Sequence, residues 1–356
     1  MELEVVNIEA LTEDCKAFYF AVPKGKIPFK AGQFLTFVLK INQEEIRRSY
    51  SICTAEETDP FIGVAVKRVK GGLVSNYLND HINIGDKLKI EAPAGQFVYE
   101  PDKEVTPEVL LIAGGSGITP MLSIIKTALY QHPTKRLSLL YVNRSEADII
   151  FYKALKQLEH QFPDRLKIVH YLNEAHKGSV IVEKKLFGLF NSKSFNKDGF
   201  ITTAKAQEII TSFSLSNQTP VYLCGPIGLM NIMEESLQHM GFQQLRKEHF
   251  VSNLTPSNVK VPSNAIGKAT ITVRLNGKKQ QFDVLKGQSI LEGAVLSGID
   301  LPHSCKQGNC TACYGVCTSG DVAMITDEAL TDEELAEGGI LACVGYPTTK
   351  KVSIKL

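Results

Sequence analysis

The residues with the clearest chemistry are the cysteines of the stretch Cys305-Lys306-Gln307-Gly308-Asn309-Cys310-Thr311-Ala312-Cys313, spaced C-x4-C-x2-C, with Cys343 as a distant fourth. Thiolates are soft ligands, and this spacing with a remote fourth sulfur suits a [2Fe–2S] cluster held by four cysteines. The chemistry explains the spacing. Three ligands must come from one tight loop whose backbone N–H groups turn toward the sulfurs. Gly308 lets that loop curl where a side chain would obstruct it. A tetrathiolate zinc site is open to the same donors, although zinc sites usually read as two C-x2-C pairs. Cys317 lies outside the pattern and reads as a small buried side chain.

Further upstream, Arg48-Ser49-Tyr50-Ser51 offers a cation, an aromatic ring and hydroxyls on one extended segment. Alone it could equally be an alternating edge strand. Lys67-Arg68-Val69-Lys70-Gly71-Gly72-Leu73-Val74-Ser75 combines cations, a glycine turn and a hydroxyl where a helix can begin. Such a unit can cradle a pyrophosphate through backbone N–H groups and the helix dipole, or be a basic hairpin turn. Gly114-Gly115-Ser116-Gly117-Ile118-Thr119-Pro120 follows the buried-type run Val109–Ala113 and opens a helical stretch, the context of a dinucleotide phosphate turn. It departs from G-x-G-x-x-G by placing Pro120 at the third glycine. Thr119 is expected to cap this helix, with Pro120 at its first position, where the missing N–H costs nothing. Cys224-Gly225-Pro226 ends a later strand, and Glu248-His249-Phe250 ends another.

In this order the motifs resemble the ferredoxin–NADP reductase superfamily over about residues 1–252, and a plant-type ferredoxin over about 269–356. The resemblance implies that Arg48 meets a flavin phosphate, Tyr50 lies on the isoalloxazine and Ser51 faces its reactive nitrogen. It assigns the Lys67, Gly71-Gly72 and Val74-Ser75 unit to the flavin phosphates. Gly114, Gly115, Gly117, Thr119 and Pro120 fall to the nicotinamide nucleotide, and the superfamily has the same proline. Cys224, with Gly225 and Pro226, sits beside the nicotinamide ring, while Glu248 and Phe250 approach the flavin. Ser51, Cys224 and Glu248 are thereby the candidate catalytic residues. The domain order is similar to that of oxygenase reductases, the reductase subunit of phenylacetyl-CoA epoxidase among them.

The elements that must position these residues change character along the chain. Residues 1–103 read as short strands separated by Pro and Gly, Leu3–Ile8 through Lys87–Glu91, which predicts a small antiparallel β-barrel, and the resemblance implies that it binds FAD. Residues 104–252 alternate strand and helix: Val109–Ala113, Met121–Gln131, Leu137–Val142, Glu146–Glu159, Leu166–Tyr171, Val221–Cys224, Leu229–His239 and Leu245–Phe250. That rhythm predicts an α/β nicotinamide domain with a parallel sheet covered on both faces. Residues 174–216 do not parse, and Lys184–Asp198 reads as a surface insertion. Residues 253–268 have linker composition. Residues 269–356 predict an α+β β-grasp module, with strands Ala269–Leu275 and Gln280–Leu285 joined at Asn276-Gly277, helix Ser289–Ser297 and closing strand Val352–Lys355.

With 356 residues the chain has room for several cores, and a net charge of +1 gives no pull toward nucleic acid or an anionic membrane. The N-terminal residues lack a signal-peptide pattern and no apolar run is long enough to span a bilayer. Eight cysteines, four of them in the cluster pattern, favour a reducing compartment and a cytoplasmic location. The resulting expectation is an NAD(P)H-dependent oxidoreductase that passes electrons through FAD and a [2Fe–2S] cluster to an oxygenase or hydroxylase component. The alternatives are a reductase acting on a small-molecule acceptor and a non-catalytic redox or metal-binding module. NADPH is expected over NADH: the second strand of the α/β region runs into Arg144 and Ser145, where an arginine accommodates a ribose 2′-phosphate. Glu146 and Asp148 follow at once, and either repel that phosphate by turning inward or cap the next helix. The acidic stretch Thr331-Asp332-Glu333-Glu334 reads either as a capping box or as a docking patch for a basic partner.

Overall fold

The computed structural model describes residues 1–22, 27–56, 58–103, 106–173, 200–250, 261–275 and 277–356. The expected insertion at Lys184–Asp198, part of the unparsed 174–216 stretch, residues 253–260 of the linker and Asn276 of the hairpin turn lie outside the described residues.

The first region holds β1 (Glu2–Thr12), β2 (Cys15–Phe20), β3 (Phe34–Ile41), β4 (Glu44–Ser51), β5 (Ile62–Lys67), α1 (Leu73–His81) and β6 (Lys87–Lys89). Alternation decides which side chains go inward: Leu3 and Val5 are buried while Glu2 and Glu4 face out. The expected antiparallel barrel takes the form of a four-stranded sheet, β5-β2-β1-β6, and a separate β3-β4 hairpin.

The α/β region holds β7 (Glu108–Gly114), α2 (Ile118–Gln131), β8 (Arg136–Asn143), α3 (Tyr152–Gln161), β9 (Leu166–Leu172), α4 (Thr203–Ser212), β10 (Val221–Cys224), α5 (Ile227–His239) and β11 (Leu245–Glu248). The sheet order is β11-β10-β7-β8-β9, and β7 pairs in parallel with both β8 and β10. One face, with Val109, Leu111, Ala113, Tyr141 and Cys224, packs on Ile118, Met121 and Ile125 of α2. The other, with Leu110, Ile112, Leu140 and Leu223, packs on Ile209 and Ile210 of α4 and Met230 and Met233 of α5. Burial on both faces explains why these strands read as unbroken aliphatic runs.

Two local expectations are corrected. Thr119 does not cap α2 and Pro120 is not its first residue: the helix starts at Ile118 behind Gly117, which makes Pro120 the third residue, and the Thr119 hydroxyl donates to the Ser116 carbonyl at 2.9 Å. The Gly115–Gly117 turn feeds straight into the helix, so that hydroxyl closes the turn instead. The single helix expected over Glu146–Glu159 is a short 3-10 turn, Glu146–Asp148, followed by α3, with Phe151 between them at φ 60°. Ile149, Ile150 and Phe151 are all buried across this break.

The C-terminal region holds β12 (Lys268–Leu275), β13 (Lys278–Leu285), α6 (Ile290–Leu296), β14 (Tyr314–Ser319), β15 (Val322–Met324), α7 (Asp332–Ala336), β16 (Gly339–Leu341), β17 (Gly345–Pro347) and β18 (Lys351–Lys355). Its mixed sheet runs β13-β12-β18-β14-β16, with β12 and β18 parallel and the other measured pairs antiparallel. Ser289 and Glu292 cap α6 reciprocally, at 3.2 and 2.7 Å. Thr331 and Glu334 do the same for α7, so the capping reading of that acidic stretch accounts for its geometry.

By packing, the described chain forms two units. One comprises Met1–Leu35, Tyr50–Pro93 and Phe97–Arg246; the other comprises Thr36–Ser49, Ala94–Gln96 and Lys247–Leu356. Most of the β3-β4 hairpin thus packs with the C-terminal region, a long-range association that no local pattern announces. Among the described residues no helix is long and apolar enough to cross a membrane.

Candidate functional site

The cysteine loop turns on three left-handed residues, Lys306, Gly308 and Thr311, at φ 57°, 78° and 49°. Gly308 is constrained twice. Beyond its positive φ, a Cβ there would lie 2.8 Å from Thr326 Cγ2 and 3.0 Å from Val344 Cγ2. The loop's backbone is aimed at sulfur: Cys305 N–H donates to Cys310 Sγ at 3.4 Å, and Gln307 N–H to Cys305 Sγ at 3.3 Å. The four thiols are neighbours in pairs, Cys305 with Cys310 and Cys343, and Cys343 with Cys313. Cys310 and Cys343 together pull the Cys305 thiol down to about 2. Cys305 in turn holds Cys310 and Cys343 up. A pairwise set of four soft donors, fed by backbone N–H groups, fits two irons bridged by sulfide. Cys317 Sγ lies 3.5 and 3.4 Å from the Ser319 and Gly320 carbonyls, bonded within its own strand end.

A second constellation forms where the sheet order reverses. With β8 and β9 on one side of β7 and β10 and β11 on the other, the crevice for a ligand opens at the carboxyl ends of β7 and β10. The Gly114–Pro120 turn and Cys224-Gly225-Pro226 leave those two strands and touch. A Cβ on Gly117 would overlap the Cys224 carbonyl oxygen, and one on Gly114 would lie 2.7 Å from Pro226 Cδ. The Tyr141 hydroxyl of β8 donates to the Gly115 carbonyl at 2.9 Å and steadies the turn. No side chain caps the start of α2, so no side-chain acceptor takes up its first backbone N–H groups. Cys224 itself is fully buried. At the end of β8, Arg144 forks onto Asp148 at 3.1 and 2.7 Å, and Ser145 Oγ donates to the same carboxylate at 2.5 Å. Burial pushes the Asp148 carboxyl up, yet Arg144 and Ser145 outweigh it and hold the group below its ordinary value.

The flavin motif is placed on β4, with Arg48 exposed, Tyr50 half-buried and Ser51 buried at the strand end. Arg48 donates to the Arg47 carbonyl at 2.8 Å. In the Gly71-Gly72 turn, Gly72 precedes α1 without a side-chain cap, and Ser75 Oγ accepts the Val69 N–H at 3.1 Å. The Val74 and Ser75 side chains are buried. Lys67 pairs with Asp14 at 3.5 Å. Glu248 is buried at the end of β11 and Phe250 is exposed beyond it. Both belong to the unit with the cysteine loop, whereas Ser51 and Cys224 belong to the other. Replacing Arg48 by alanine is expected to weaken FAD retention by about tenfold or more, the worth of a charge-assisted phosphate contact. Flavin fluorescence titration measures this; unchanged affinity makes Arg48 an ordinary strand residue.

Comparison with known proteins finds three family matches along the chain. Residues 2–99 match the oxidoreductase FAD-binding domain, 111–235 the oxidoreductase NAD-binding domain, and 273–348 the 2Fe-2S iron-sulfur cluster binding domain. One subunit of 1,2-phenylacetyl-CoA epoxidase from Escherichia coli is 34% identical, over 99% of this chain and 96% of that protein. The ferredoxin reductase component of 3-ketosteroid-9-alpha-monooxygenase from Mycobacterium tuberculosis is 30% identical, over 99% and 95%. In fold, the chain is similar to phthalate dioxygenase reductase, with a TM-score of 0.59 at 24% identity over 100% of this chain and 98% of that one.

Proposed function

The chain belongs to the family of oxygenase reductase components with FAD-binding, NAD-binding and 2Fe-2S domains, and on that premise we propose which residues do the work and which oxygenase it serves. The domains run 1–103 for FAD, 104–252 for the nicotinamide nucleotide, 253–268 as linker and 269–356 for the cluster. The acceptor is an oxygenase resembling phenylacetyl-CoA epoxidase or another ring or chain hydroxylase. One observation carries the assignment of roles: the two nicotinamide motifs meet at the crevice where the sheet order reverses. A plain metal-binding module has no use for that crevice.

When bound, a flavin accepts a two-electron hydride and releases electrons singly, and an iron–sulfur cluster carries them one at a time. The chain's own residues bind and orient. Gly114–Pro120 takes the pyrophosphate on α2, Cys224–Pro226 shapes the nicotinamide end, and Ser51 and Glu248 position the rings for transfer. Cys305, Cys310, Cys313 and Cys343 hold the irons. None of the eight cysteines forms a disulfide, which supports a reducing, cytoplasmic setting.

An anaerobic ultraviolet–visible titration tests this reading. Overlapping flavin and iron–sulfur absorption should bleach on adding NAD(P)H. A spectrum without flavin returns the chain to a metal-binding module, and efficient turnover of a small acceptor with none to any oxygenase favours the direct reductase.

The nucleotide preference follows from Arg144. Its fork onto Asp148 leaves the guanidinium preorganised at the ribose end of β8 and largely exposed, at 65%. NADPH is expected to give the higher kcat/KM, and Arg144→Ala to cut it about tenfold or more while sparing NADH. Higher efficiency with NADH, indifferent to Arg144, removes the preference.

A further inference from the structure

Arg47 has no part in the motifs above, yet it is the most engaged side chain of β4. Successive strand residues point to opposite faces, so Arg48 is exposed while the Arg47 side chain is only 13% exposed. Its Nη1 and Nη2 reach the two Asp300 carboxylate oxygens, each at 3.3 Å. Its Nε and Nη2 lie 3.3 and 3.1 Å from Glu45 Oε1. Nη1 also sits 3.4 Å from His303 Nδ1. That ring nitrogen donates to the Leu301 carbonyl at 2.8 Å, so its contact with Arg47 is packing rather than a hydrogen bond. Asp300 and the buried His303 lead directly into Cys305. On the loop's other flank, Gln96 N–H donates to Thr311 Oγ1 at 3.4 Å, between Cys310 and Cys313. All of these residues lie in one packing unit.

We propose that Arg47 is a positioning residue that fixes the cysteine loop to the strand bearing Arg48, and so governs electron transfer from flavin to cluster. This rests on the function proposed above. Asp300 and Glu45 are well exposed, at 72% and 51%, so these ion pairs add little stability. What a forked guanidinium supplies is direction, tying one loop to one strand at a set angle. The electron count is simple. NAD(P)H gives up two electrons and a proton as hydride, and two successive one-electron transfers through the cluster carry the pair to the acceptor, the proton passing to solvent.

Anaerobic stopped-flow of the full-length holoenzyme separates the steps. In Arg47→Ala, flavin reduction by NAD(P)H should keep the wild-type rate. Cluster reduction, followed by absorbance and by EPR of quenched samples, should slow by about tenfold or more, as for a misplaced reacting pair. Hydrogen exchange on the same holoprotein gives a readout independent of turnover: amides of 299–304 should lose protection. Asp300→Asn breaks the same contact without touching β4 and should slow cluster reduction in the same sense. It carries the test if Arg47→Ala loses a cofactor. The double variant Arg47→Asp with Asp300→Arg should recover the rate. Wild-type cluster reduction in Asp300→Asn, or flavin reduction slowed in step with cluster reduction in Arg47→Ala, overturns the proposal. A wild type that lacks the combined flavin and cluster spectrum fails the underlying function instead.

Discussion

Serine in place of Cys305, Cys310, Cys313 or Cys343 is expected to abolish the cluster and with it all electron delivery to the oxygenase, while Cys317→Ala leaves both intact. The four thiols form one connected set, and a hydroxyl is a far poorer ligand for iron than a thiolate. Cys317 is bonded to the Ser319 and Gly320 carbonyls and belongs to β14. Because the hydride step lies upstream, the cluster-free variants should still reduce an artificial two-electron dye from NAD(P)H. Stability should divide the four. Cys313 and Cys343 are buried in the apolar core of the C-terminal region, so a serine there also carries a hydroxyl into it, at about 1–3 kcal/mol. Cys305 and Cys310 are partly exposed and should cost less. Iron analysis, EPR and thermal unfolding read these effects. Cluster loss in Cys317→Ala equal to that in the other four would show that the ligands are misassigned.

Much of this arrangement is legible in the sequence because local rules and the fold agree. The aliphatic run Val109–Ala113 could only be a strand buried on both faces, and the glycines after it could only serve a tight turn into α2. Gly308 in the cysteine loop is of the same kind. Helix α4 also has a local signature, but one set inside a stretch that otherwise has no pattern. There Thr202 accepts the Lys205 N–H, and Ala206, Ile209, Ile210 and Phe213 recur at helical spacing. The break at Phe151 is different. Asp148-Ile149-Ile150-Phe151 contains no glycine or proline, so no local signal marks the left-handed residue that separates the 3-10 turn from α3. Arg47 is the extreme case. Two adjacent arginines look alike in a sequence, and only the tertiary partner Asp300 distinguishes Arg47 from its exposed neighbour Arg48.

The nicotinamide crevice yields the other large effect, from a single methyl group. Gly117 has φ −61°, so its backbone would accept alanine without strain, and space alone forbids it. The added Cβ would overlap the Cys224 carbonyl oxygen and lie 2.5 Å from its carbon and 3.0 Å from Gly225 N. These are backbone atoms that cannot rotate aside, so the turn after β7 and the end of β10 must separate. Overpacking of this kind costs about 1–3 kcal/mol. Since it widens the seat of the nucleotide, KM for NAD(P)H should rise by about ten- to a hundredfold. The flavin and cluster spectra serve as controls that both groups are retained. Gly228→Ala is the internal comparison. It lies in α5 just beyond the same turn, nothing stands within 4 Å of its added Cβ, and alanine favours the helix by about 1 kcal/mol. That variant should keep its KM and unfold at the same or a higher temperature. Were Gly117→Ala to bind NAD(P)H as tightly as wild type and melt with it, the contact between the two motifs could not be what builds the crevice.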